Sequence, residues 1–80
     1  MRDQMIKTAR MYAEAEIQLH KTNIDIYMAQ SIGIGEHSDI METINLELDK
    51  MASAHDRLEM LSLYFADKRL VKNLKKEVTQ

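Results

Sequence analysis

Glu16, His20 and Asn23 stand four and then three positions apart, and His55 and Glu59 stand four apart. On an α-helix such spacing puts each set on one face. Carboxylates and imidazoles facing a bundle interior are the donors of di-iron and related sites. A metal held by Glu16, His20, His55 and Glu59 is therefore one chemistry open to this chain. Those sites rely on a Glu-x-x-His pair with further glutamates, whereas here the spacings are Glu16-x-x-x-His20 and His55-x-x-x-Glu59. A second reading is a buried, hydrogen-bonded polar layer that fixes register and partner choice. A third is that the apolar arc is too wide to be wholly buried, which leaves some of these groups wet. The polar layer is the primary expectation.

The stretch SIGIGEHSD, residues 31–39, holds both glycines, His37, Glu36 and Asp39. A Gly-x-Gly without a preceding strand is not a dinucleotide loop, and no P-loop lysine follows. Glu36 and His37 are two possible ligands, not a set. A turn explains the stretch better. Gly33 or Gly35 suits a helix C-terminus, where the left-handed conformation is needed. Ser38 or Asp39 suits the next N-terminus, and Asp39 with Glu42 has capping-box spacing.

The elements that position these residues are two long helices. Over residues 2–30, Met5, Tyr12, Leu19 and Ile26 recur every seven positions, with Thr8, Ala15, Thr22 and Ala29 at the companion positions. This alternation of large and small residues lets a partner helix approach closely. A second stripe, Ile6, Ala13, Ile17, Ile24 and Met28, lies beside the first. Asp3–Lys7, Arg10–Glu14 and Lys21–Asp25 have the i,i+4 spacing of surface ion pairs. The second helix, about 39–66, carries Ile44, Met51, Leu58 and Phe65 at one heptad position and Met41, Leu48, His55 and Ser62 at the other. Each helix spans roughly 40 Å at 1.5 Å per residue. Folding at residue 34 or 35 brings Glu16 towards His55, and His20 towards Leu48 and Ala52.

Eighty residues make one domain, 1–80, and so short a chain has little core for its surface. With no cysteine there is neither a disulfide nor a thiolate metal site, and with no proline nothing breaks the helices. The seven methionines fall mostly on or near the apolar arcs and read as gap fillers. No apolar run approaches the roughly 18 residues of a membrane span, and MRDQMIKTAR has no signal-type stretch. The expectation is a cytoplasmic protein without membrane contact. The serines show no partnered base, so catalysis is not expected, and no cofactor is implied.

The net charge of −2 divides unevenly. Residues 67–80 set Lys68, Arg69, Lys72, Lys75 and Lys76 against Asp67 and Glu77, which leaves the rest of the chain acidic. A solvated helix end accounts for this, since cations there favour the macrodipole. Contact with nucleic acid or an acidic partner is the alternative, although no aromatic side chain interleaves with the basic ones to stack on bases. Leu70, Val71, Leu74 and Val78 give this segment a short apolar stripe, read as a helical extension of the second helix.

Gly33, Ile34, Gly35, Glu36, His37, Asp39, Ile40, Asp56, Arg57, Leu58 and Glu59 carry a resemblance to small helical-hairpin accessory proteins of T4-like marine phages. It covers roughly residues 22–65. Ser38 departs from that pattern, which often has proline there. The resemblance implies a phage accessory protein made in a bacterial cytoplasm, with no assigned activity.

The fold expected is all-α: an antiparallel two-helix hairpin with a turn at 31–38. The arc on the first helix is too wide for one partner, so two hairpins are expected to pair into a four-helix bundle. The function expected is that of a non-enzymatic, homodimeric interaction protein, with an unidentified protein partner possible. Metal binding by the core Glu and His residues and nucleic-acid binding by the basic segment are the alternatives.

Overall fold

The computed structural model describes residues 1–30 and 38–65. They form two helices, α1 (Arg2–Gln30) and α2 (Ser38–Tyr64), and no strand is found among them. The turn glycines, Glu36, His37 and the basic residues Lys68, Arg69, Lys72, Lys75 and Lys76 lie outside the described residues, as does the expected helical extension. The bounds of α1 match the apolar periodicity. α2 starts at Ser38, so Asp39 sits inside the first turn rather than at the cap. There its carboxylate faces the positive end of the helix dipole.

The helices pack antiparallel. Arg10 of α1 reaches Ser62 of α2, while His20 reaches Glu47, so contacts descend α2 as they ascend α1. The core is thin: Ala13, Ile24, Ile44 and Ala54 are its buried apolar residues. Ala13 and Ala54 are 1% and 0% exposed, and their methyl groups let the two backbones come close. Ile6, Ile17 and Tyr27 of α1 and Ile40, Met51, Leu58 and Leu61 of α2 are half-buried around them. Full burial of an isoleucine contributes about 1.5–3 kcal/mol. Two such side chains and two alanines are a small driving force for ordering two long helices.

The seams differ from the expected ones by a rotation. On α1 the second stripe, Ile6, Ala13, Ile17 and Ile24, meets α2. Met5, Tyr12, Leu19 and Ile26 face outward, between 48% and 66% exposed. On α2 the position Ile44, Met51 and Leu58 does face α1, but its companion is Ile40, Glu47, Ala54 and Leu61. Met41, Leu48 and His55 are exposed. The two companion rows are one residue apart and equally apolar on paper. Ala54 distinguishes them: at 0% exposure it lies fully buried in the row that faces α1.

Of the expected ion pairs, Lys21–Asp25 is present at 3.4 Å. Asp3 instead lies 3.8 Å from Arg2. Arg10 donates to the Ser62 hydroxyl at 2.9 Å instead of pairing with Glu14, because half-burial turns it toward α2. Thr8 and Thr43 return their hydroxyls to the carbonyls of Gln4 and Asp39, one turn back, each at 2.9 Å. Neither hydroxyl then needs a partner across the hairpin.

Candidate functional site

Two of the polar residues on the α1 face, His20 and Asn23, form a layer with α2, and Glu47 is its centre. Glu47 is the buried charged residue among the described ones, at 9% exposure. His20 donates from Nδ1 to Glu47 Oε2 at 2.7 Å. Asn23 donates from Nδ2 to the same oxygen at 3.2 Å. The spacing of His20 and Asn23, three residues or just under one turn, lets both reach one carboxylate. Those two bonds hold the Glu47 carboxyl below its ordinary pKa, His20 contributing most, against the opposing effect of desolvation. No buried side-chain nitrogen or oxygen among the described residues lacks a partner.

A second polar contact lies nearer the open end. The Arg57 guanidinium takes both oxygens of Glu16 in a two-pronged ion pair. The hydrogen bond from Arg57 is the main reason the Glu16 carboxyl is held below its usual value. Glu16 is about a quarter exposed and Arg57 about half, so solvent screens the pair strongly.

The four residues considered for a metal therefore separate. Glu16 binds Arg57, and His20 binds Glu47. His55 and Glu59 are exposed and belong to neither contact. Among the described residues no group of three or more potential ligands converges. Sequence reasoning placed His20 within one position of its true neighbour but missed Glu47, Arg57 and the Arg10–Ser62 bond. One signal for Glu47 was present: it interrupts the otherwise apolar heptad row Ile40, Ala54, Leu61.

The face beside these contacts is a long open groove. Its wider part, about 680 Å³, is lined by Met5, Thr8, Tyr12, Met60, Leu61 and Phe65, among others. A second part, about 580 Å³, runs past Tyr12, Ala15, Leu19, Lys50, Ser53 and Arg57. Tyr12 and Arg57 border both parts, which makes the groove continuous along the hairpin. Among the described residues no helix is long and apolar enough to cross a membrane. No protein-family model, curated protein or solved structure matches this chain.

Proposed function

We propose that this chain is a non-enzymatic helical interaction protein that works through the outer face of its hairpin. The observation that carries this is the outward row Met5, Tyr12, Leu19 and Ile26. Four large apolar side chains repeated at heptad spacing on an exposed face are the pattern of a helix that receives another helix. The polar layer supports the same reading. His20, Asn23 and Glu47 satisfy one another inside the hairpin, so they serve its register rather than a reaction. The resemblance at the turn adds only a setting, that of a phage accessory protein with no assigned activity.

The test is a photo-crosslinking amino acid at Leu19, used both in the purified chain and in a cell extract. The expected result is discrete adducts that disappear when Tyr12→Glu is added. Diffuse labelling that ignores Tyr12→Glu would overturn the reading.

A further inference from the structure

We propose that the groove is filled by α1 of a second copy of this chain, antiparallel to the first and centred on Ile17. The inference rests on the interaction reading above and names its occupant. The argument starts from the order of residues along the outward row. Large side chains at Met5, Tyr12, Leu19 and Ile26 alternate with small ones at Thr8, Ala15, Thr22 and Ala29. In the antiparallel register centred on Ile17, Met5 lies opposite Ala29 and Thr8 opposite Ile26. Tyr12 lies opposite Thr22 and Ala15 opposite Leu19. Every large residue meets a small one along nearly the whole of α1. A parallel pairing would set Tyr12 on Tyr12 and Ala15 on Ala15. Crowded layers would then alternate with empty ones, which interior packing density does not tolerate.

Charge on the row's borders fits a second copy. One border carries Gln4, Met11 and Gln18, with Asp25 beyond them already paired to Lys21. The other carries Ala9, Glu16 and Asn23. Glu16 is neutralised by Arg57, and Asn23 is committed to Glu47. Near the two-fold axis the Glu16–Arg57 pairs of both copies come together with alternating sign, so neither copy buries an uncompensated charge there.

The direction fits as well. At 100° per residue the large side chains of the outward row lie roughly 130° around α1 from the face that meets α2. That leaves room for α1 of the partner beside α2, as in a four-helix bundle. The area is adequate. Met5, Tyr12, Leu19, Ile26, Met60 and Phe65 are between 37% and 66% exposed. At roughly 200 Å² per large side chain they offer about 600 Å² of apolar surface per copy. Thr8, Ala15, Ser53 and the aliphatic stems of Lys50 and Arg57 extend this toward the ~800 Å² per partner of a standard stable interface.

The absence of native cysteine makes the register measurable by single-cysteine linkage. Thr8→Cys and Ile26→Cys, both at exposed positions, are purified separately, mixed, and oxidised. The proposal expects a dimer by light scattering and an 8–26 disulfide in the mixture, with little self-linkage of either variant. Two copies of position 8 would stand about 27 Å apart along the axis, far beyond disulfide reach. Tyr12→Glu with Leu19→Glu should weaken the dimer by about 100-fold or more, because it buries carboxylates against apolar side chains. Direct 8–8 linkage would overturn the register. A chain that stays monomeric to about 1 mM, with no 8–26 linkage, would overturn self-association. In that case, discrete Leu19 adducts of another mass in extract would leave the interaction reading standing. Absence of any discrete adduct would remove both.

Discussion

His20 of α1 and Glu47 of α2 meet at 2.7 Å through Nδ1 and Oε2, and Asn23 closes on the same oxygen. Two donors from one helix thus converge on a single acceptor of the other. Glu47→Ala removes the acceptor and leaves two donors facing a gap, the costly way to break a buried contact. The expected outcome is a fall in Tm on the order of 5 °C or more, with helix content retained below the transition. Replacing all three, as His20→Leu, Asn23→Leu and Glu47→Leu, should restore or raise Tm, because matched apolar groups often exceed a buried polar cluster in stability. The price should appear as lost uniqueness, visible as extra oligomers or broadened amide resonances. A triple variant that stays less stable than Glu47→Ala would contradict the account.

The same contacts set an acid limit. The folded-state pKa values of Glu47 and Glu16 are depressed, by His20 and Asn23 in one case and by Arg57 in the other. A depressed carboxyl contributes stability that is present above its unfolded value of about 4.3 and is lost as pH falls through the folded value. Urea midpoints should therefore be steady from about pH 7 to 5 and fall below about 4.5. Glu47→Gln with Glu16→Gln should flatten that fall while lowering the midpoint at pH 7. An unchanged acid slope in the double variant would assign the fall to the other carboxylates.

How much of this was legible in the sequence follows from what each feature depends on. The extent of α1 rests on local periodicity and the absence of Gly and Pro, and it was read to the residue. The chain reversal near residue 35 set the register closely enough to put His20 beside Leu48, one position from Glu47. Helix rotation was harder. It depends on which of two adjacent rows packs better, and Met41/Leu48 competes evenly with Ile40/Leu61 until the burial of Ala13 and Ala54 is known. The polar layer suffered from that rotation. The row Met41, Leu48, His55 draws His55 inward on paper, whereas a lone carboxylate such as Glu47 in an apolar row looks like a surface residue. Arg57 belongs to the Asp56–Glu59 run of the second helix, and its length, not its spacing, lets it cross to Glu16.

The Glu16–Arg57 pair should behave as a screened surface contact while the hairpin is alone. Arg57→Ala, Glu16→Ala and the double variant form a cycle whose coupling should shrink as NaCl rises from low concentration to about 0.5 M. The His20–Glu47 cycle, measured alongside, should be nearly indifferent to salt, because that contact is largely removed from water. Equal salt sensitivity in the two cycles would mean that Glu47 is as open to solvent as Glu16.

The closest test of the packing is steric. Ala54 is 0% exposed and Ala13 1%, while Ala52, two residues from Ala54, is exposed. Ala54→Leu must push the helices apart or force strained rotamers, at a cost of about 1–3 kcal/mol. Ala52→Leu adds the same atoms to the outside of α2, where surface changes stay within about 0.5 kcal/mol. Urea unfolding of the two variants therefore reads out the rotation of α2 directly. If the row Met41, Leu48, His55 faced α1 instead, Ala52 and Ala54 would flank the contact about equally and the two costs would converge. That rotation would also return His55 to the interior, where it could meet Glu16, so this pair of substitutions decides which polar groups the helices enclose.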